Sequence, residues 1–287
     1  MNEIYLAGSS GYIGNIAYKN LSKIFNVIPL TRSSSLEEFY SEILDKESNQ
    51  ILIYAAGNKN IKDCEGNFNI GLEANFHYLK LLANKLKNPF IIYLSTDYAF
   101  DGLQGNYSSH DLQSADTNYG KSKIIAENWL LNKYLGQSNI LRVSAVCSDN
   151  SSFIRYLLKE SEIENNMIEV ADNSYFSPTS INLLIECLSF LIKERQQGIS
   201  HLSGPRTSRA DFAMTTLNLY GKKINLKNKD YKLINSFLRP DLSLQNSFLH
   251  TSKHSDHKFF KLLNRVFNRG YQLEDFSEDD IIQPRLK

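Results

Sequence analysis

The stretch "EIYLAGSSGYIG", residues 3–14, decides the fold. An apolar run ends in glycine, and Gly8, Gly11 and Gly14 then follow at a Gly-x-x-Gly-x-x-Gly spacing. The amphipathic run "YIGNIAYKNLSKI" comes next, so the order is strand, tight turn, helix. The first glycine makes the turn, the second lets backbone amides approach a diphosphate, and the third lets helix and strand pack closely. Glycines also occur as plain loop punctuation, but a strand before and a helix after supply the context that a dinucleotide site needs.

Working outward, short apolar runs alternate with amphipathic ones. "NVIPLT", "QILIYAAG", "PFIIYLS" and "SNILRVSAV" read as strands. "SLEEFYSEILDKES", "GLEANFHYLKLLANKLK" and "NYGKSKIIAENWLLNKY" read as helices between them. This pattern predicts α/β architecture with a Rossmann-like, doubly wound parallel sheet. Further on, "FIRYLLKESEI", "INLLIECLSFLIKER" and "RADFAMTTLNLYG" read as helices, with "GISHLSG" a short strand between the last two. The expected division gives 1–147 to a dinucleotide-binding domain, with parts of 170–205 returning to it, and 148–169 plus 206–287 to a smaller interleaved lobe.

Composition narrows the partners. The 287 residues carry a formal net charge of +1, which points to neither nucleic acid nor a membrane surface. The apolar runs are too short to span a bilayer, and "MNEIYLAGSS" lacks the pattern of a signal peptide. Cys64, Cys147 and Cys187 are scattered, so neither a metal site nor a disulfide framework is expected, and the default location is cytoplasmic.

The stretch "LSTDYAFDG" places Ser95, Thr96, Asp97 and Tyr98 at the end of a strand, and "NYGKSK" supplies Tyr119 and Lys123 at a Tyr-x-x-x-Lys spacing. Positions i and i+4 share one helix face, so an ammonium can stand beside the phenol. A phenol titrates near 10, and a neighbouring positive charge favours the phenolate. The pair suits a general acid or base acting on a carbonyl or alcohol, with the Thr96 hydroxyl holding the same oxygen. After the second strand stands Arg32 rather than an acidic residue. It could pair with a ribose 2′-phosphate, or be a lone surface arginine.

Together with "YAAGNKNIKDCE", "EANFHYLKLL", "LRVSAV", "FSPTS", "GISHLSG" and "RPDLSLQNSFLHTSK", these motifs resemble the extended short-chain dehydrogenase/reductases, within them the dTDP-4-dehydrorhamnose reductase-like group. The resemblance implies a seven-stranded sheet plus a C-terminal substrate lobe, and a catalytic set on Thr96, Tyr119 and Lys123. It implies NADP contacts, NADPH preferred and NAD allowed, at Gly8, Gly11, Tyr12, Ile13, Gly14, Arg32, Ala55, Ala56, Gly57, Asn75, Ser95, Tyr119, Lys123, Ser144 and the segment around Ser177. The implied partner is a nucleotide sugar, met by Thr96, Asp97, Tyr98, Tyr119, Ala145 and, at its diphosphate, Arg239. A homodimer is left open.

Departures from that group matter for substrate. Rhamnose-forming members carry a tryptophan and a tyrosine where this chain has Ala145 and Cys147, so a wider or reshaped sugar pocket is expected. "AAGNKNIKDCE" replaces the group's "AAYTAVDKAE". Tyr98 stands where 4,6-dehydratases carry a second carboxylate, and no cysteine lies near the turn, as epimerase-reductases require. The expected activity is therefore reduction of the 4-keto group of a nucleotide-activated 6-deoxy sugar for glycan precursors. The alternatives are an epimerase, or a non-catalytic NADP-binding subunit like the regulatory subunit of methionine adenosyltransferase. The acidic C-terminal run reads as a solvated terminus.

Overall fold

The computed structural model describes residues 3–31 and 50–247. Arg32, the helix expected over 35–48 and the acidic C-terminal run lie outside the described residues. Two compact units make up the chain. The first comprises Met1–Asp101, Ser109–Val143 and Leu184–His201, the second Gly102–Ser108, Ser144–Leu183 and Leu202–Lys287.

In chain order the strands are β1 (Glu3–Ala7), β2 (Val27–Leu30), β3 (Gln50–Tyr54), β4 (Phe90–Thr96), β5 (Ser138–Val143) and β6 (Val146–Cys147). β7 (Ile168–Ala171), β8 (Tyr175–Phe176), β9 (Thr179–Ser180), β10 (Gly198–Leu202), β11 (Thr207–Ser208) and β12 (Leu226–Lys229) follow. Among the described residues six of them form one sheet, in the order β10-β5-β4-β3-β1-β2, where the resemblance implied seven. Neighbours from β2 to β5 pair in parallel. Every residue of β1, β3, β4 and β5 is buried, because helices cover both faces of such a sheet. One face packs Tyr5, Tyr54 and Tyr93 against Leu79 and Leu82 of one helix and Ala126 and Leu130 of another.

The order in which strands are added reverses at β1, with β2 on one side and β3 on the other. Ligands of doubly wound sheets bind in the crevice beyond the strand ends at such a point. The loops after β1 and β3 meet there: a Cβ on Gly8 would lie 2.6 Å from the Ala56 nitrogen.

The single helix expected over 71–87 is broken. Phe68–Leu72 is followed by a π-turn, Glu73–His77, and then by Tyr78–Lys85. Tyr54 and Tyr93 are register partners whose rings stack 5.8 Å apart. Their hydroxyls donate to the carbonyls of Ala74 at 2.5 Å and Asn75 at 3.1 Å. Side chains bonding into the ladder in this way widen the turn. A helix at Ile61–Gly66, not expected from sequence, precedes it.

In the second unit the strands form three short pairs, β11 with β8, β12 with β7 and β6 with β9. An apolar cluster of Cys147, Ile154, Phe176, Phe212 and Leu219 packs there. Among the described residues no helix is long and apolar enough to cross a membrane.

Candidate active site

The glycine loop is built for a tight return. Gly8 has φ +85°, a left-handed conformation that L side chains resist, and a Cβ on Gly14 would sit 2.0 Å from the Gly8 carbonyl oxygen. Helix Tyr12–Leu21 begins at Gly11 with no side-chain cap and no acidic residue in its first turn. Its leading N–H groups and helix dipole therefore face the exposed loop without a carboxylate to compete for them. Tyr12 and Ile13 are half-buried at this helix start, and the Lys59 ammonium lies 5.7 Å from the Tyr12 ring centre.

Helix Asn118–Lys133 carries Tyr119 and Lys123. Thr117 caps it by accepting from the Gly120 N–H at 3.1 Å, and the Glu65 carboxylate accepts from the Asn118 N–H at 2.5 Å. Gly120 lets the helix press on the turn after β4, where a Cβ would meet the Tyr98 carbonyl oxygen at 2.0 Å. The rings of Tyr98 and Tyr119 meet edge-on at 5.9 Å. Thr96 is buried, donates to Asp97 at 3.1 Å and accepts from the Tyr98 N–H at 3.2 Å.

Electrostatics part from the sequence expectation at the phenol. Atoms packed around the Tyr119 hydroxyl desolvate it and push it well above 10; the Thr96 hydroxyl offsets part of that rise, and Asp97 adds to it. Burial acts on the Lys123 ammonium as well. Its value falls to about 8, with Glu127 and then Cys64 opposing the fall. The Lys123 ammonium donates to the Leu94 carbonyl at 3.0 Å and lies 4.8 Å over the Tyr93 ring. Cys64, remote in sequence, is thus near the pair: its sulfur and the Ser122 hydroxyl both flank Gly71. Its thiol is raised by burial, so it stays neutral and offers no base.

A dinucleotide's nicotinamide end fits what surrounds Lys123. Asn75, held by the π-turn, donates to Ser122 at 2.8 Å and to the Asn58 carbonyl at 3.4 Å. Its Oδ1 is buried without a hydrogen-bond partner. Gly57 is exposed, and a Cβ there would lie 2.7 Å from that oxygen and 3.2 Å from the Lys123 nitrogen. An unused acceptor, an ammonium and a strip without side chains face one place, which suits the ribose and carboxamide of a nicotinamide nucleotide. Ala55 and Ala56 form the half-buried rim leading to Gly57.

Ser95 is a correction. The resemblance implied a cofactor contact there, beside Thr96, but successive strand residues point to opposite faces. Its hydroxyl donates instead to Glu127, beneath the helix. Glu127 also accepts from Arg142 Nη2 at 2.7 Å and from Gln113 at 2.6 Å. Sequence reasoning missed Glu127 and Arg142; the available signal was a glutamate at the i+4 position after Lys123, on the same helix face.

Ser144, Ser177, Ala145 and Arg239 belong to the second unit. The Ser144 hydroxyl accepts from the Ser177 N–H at 3.4 Å. Ala145 is exposed, and its carbonyl accepts from the Thr179 N–H at 2.9 Å. Cys147, by contrast, opens no space: it is buried, its thiol pushed up to about 12, with Phe176 in the same cluster. Arg239 Nη1 donates to the carbonyls of Ser236 at 3.1 Å and Leu238 at 3.0 Å. Among the described residues no group of three or more His, Cys, Asp or Glu gathers as a metal site.

Known proteins resemble the chain over most of its length. dTDP-4-dehydrorhamnose reductase of Aggregatibacter actinomycetemcomitans is 26% identical over 233 residues, 75% of this chain and 78% of that protein. The structure of dTDP-4-dehydrorhamnose reductase from Bacillus anthracis in complex with NADP has a TM-score of 0.79 over 93% of this chain and 98% of that one; at 18% identity the likeness is one of fold. Methionine adenosyltransferase 2 subunit beta of Danio rerio is 24% identical over 151 residues, 49% of this chain and 46% of that protein. The RmlD substrate binding domain matches residues 1–262, and the chain belongs to that family.

Proposed function

We propose that the chain is an NADPH-dependent reductase of the 4-keto group of a nucleotide-activated 6-deoxy sugar. The observation that carries this reading is the buried Lys123 beside an unused Asn75 oxygen and a side-chain-free strip at Gly57, one helical turn from Tyr119. NADPH, when bound, supplies the hydride. The protein's own groups bind, orient and protonate.

Lys123, with a value of about 8, is mostly charged at neutral pH and offers its remaining N–H donors to ribose hydroxyls. Tyr119 stays protonated, which is the state that reduction needs, because the carbonyl oxygen must gain a proton as it becomes an alcohol. Thr96 places a second hydroxyl beside that of Tyr119 and steadies the same oxygen. Arg32, in place of an acid, supports NADPH over NADH, and Arg239 supports a grip on the substrate diphosphate. Location in the cytoplasm and a homodimer complete the reading.

Turnover of a panel of 4-keto sugar nucleotides with NADPH is the test. Normal NADPH binding with no turnover of any member would hand the chain to the non-catalytic class represented by the methionine adenosyltransferase subunit.

A further inference from the structure

The reaction above uses Thr96, Tyr119 and Lys123, and a densely bonded polar group adjoins them among the described residues. Glu127 is fully buried one turn after Lys123. Its carboxylate accepts from Arg142 Nη2 at 2.7 Å, from Arg142 Nε at 3.2 Å to each oxygen, from Gln113 Nε2 at 2.6 Å and from the Ser95 hydroxyl. Ser95 and Arg142 are register partners on β4 and β5, so their side chains rise on one face and meet at the carboxylate. Arg142 is itself held, 5.1 Å over the Phe100 ring and 3.4 Å from His201 Nε2.

A buried ion pair is a poor source of stability, since apolar side chains of similar volume often serve as well or better. What this pair supplies is geometry and field. Ser95 adjoins Thr96, and Glu127 shares its helix with Tyr119 and Lys123, so the network ties the two halves of the catalytic set together.

We infer that Glu127, locked by Arg142 and Ser95, is a positioning residue for the reduction: it fixes the Thr96 strand end against the Tyr119–Lys123 helix and sets a carboxylate one helical turn from the Lys123 ammonium. The inference rests on the reductase reading and deepens it. The groups around Lys123 agree with it. Tyr93 and the Leu94 carbonyl lie against it from β4, Cys64 acts from the neighbouring helix, Asn75 flanks it from the π-turn and Gly57 from the loop after β3, and Tyr119 precedes it on its own helix. Among the described groups acting on it, Glu127 is the carboxylate, and it opposes the burial that lowers Lys123.

The test compares Glu127→Gln, the double variant Glu127→Met/Arg142→Met, Ser95→Ala and Lys123→Met. NADPH binding is followed by fluorescence from pH 6 to about 10, beside thermal unfolding and, where a sugar is turned over, the pH profile of kcat/KM. Wild type should lose NADPH affinity on an alkaline limb near pH 8, and Lys123→Met should lack that limb. The double variant should melt at or above the wild-type temperature, while its limb moves down by about one pH unit and kcat falls about tenfold or more. Glu127→Gln should shift the limb likewise. Ser95→Ala, which keeps the charge, should lower kcat without moving the limb. A folded double variant with the wild-type limb and kcat would reduce the network to packing and overturn the inference. So would a wild-type limb that persists in Lys123→Met. If no sugar is turned over, the reductase reading fails, while the binding limb still decides whether Glu127 holds the charge of Lys123.

Discussion

The junction of β4 with helix Asn118–Lys133 and the segment around β6 follow opposite plans. At the junction, buried polar atoms meet polar atoms: Ser95, Glu127, Arg142 and Lys123 are all at most 6% exposed. Around β6, apolar volume meets apolar volume, with Cys147 and Phe176 packed beside Phe212, whose ring meets Phe176 edge-on at 5.4 Å. The first plan depends on atom type, since a buried polar group that loses its partner carries the full desolvation cost. The second depends on total volume and tolerates exchange among apolar residues. Cys147 therefore sits among apolar neighbours that include Phe176, whereas the Tyr119 hydroxyl and the Lys123 ammonium are there for their chemistry.

The largest expected effect tests the first plan at one atom. Removing the phenol oxygen in Tyr119→Phe should lower kcat by about 10²–10⁴-fold, with NADPH affinity nearly unchanged, as measured by steady-state kinetics and titration. Near-normal turnover would mean that another group donates the proton, and the contrast between the regions would lose its chemical half.

Next comes volume. Phe176→Ala should destabilise the protein by about 3–5 kcal/mol in chemical denaturation, while any activity that survives keeps the wild-type pH profile. A loss under about 1 kcal/mol would show that Phe176 does not fill the space beside Cys147.

Lys123→Met sharpens the comparison from the side of stability. The lysine has a folded value of about 8 against an ordinary value of 10.5, so holding it charged costs stability below pH 8. That cost fades as pH rises from about 8 to 10.5, because the folded state gives up its proton before the unfolded chain does. The variant should thus be more stable than wild type by about 3 kcal/mol at pH 7, with the gain shrinking across that window, while cofactor affinity falls. A variant less stable than wild type at pH 7 would mean that the buried ammonium stabilises the fold.

These two plans explain what the sequence made legible. Glycine spacing, strand order and the Tyr-x-x-x-Lys pair were readable because each is fixed by a local backbone or helix-face requirement. The π-turn at Glu73–His77 was not, since it depends on two tyrosine hydroxyls from strands far off in sequence. Glu127 was hidden for a related reason: its partners Ser95 and Arg142 become neighbours only through the β4–β5 register. The placing of Ser95 among the cofactor contacts failed because a motif gives proximity along the chain, while strand alternation decides which face a side chain takes. Phe176 was unreadable because its neighbours Cys147 and Phe212 come from distant parts of the chain.

The smallest expected effect concerns Ala145, where the two plans meet within one short segment. Cys147 is enclosed, but Ala145 is exposed, and its backbone is fixed by the Thr179 N–H at 2.9 Å, so a larger side chain can be added without displacing the strand pair. The family resemblance places an aromatic ring at this position against the sugar. Stacking and burial of such a ring contribute roughly 1–3 kcal/mol. Without it, a plain deoxyhexose loses a contact face, and a sugar bearing an acetamido group or a longer carbon chain can cover the same ground. Wild type should therefore show a higher kcat/KM for a substituted 4-keto sugar nucleotide than for dTDP-4-dehydrorhamnose. Ala145→Trp should shift the ratio about tenfold toward the smaller sugar, leaving thermal stability within about 0.5 kcal/mol, as expected for an exposed site. If wild type already prefers the smaller sugar and the variant changes nothing, then another side chain supplies the stacking face, and substrate choice is set away from β6.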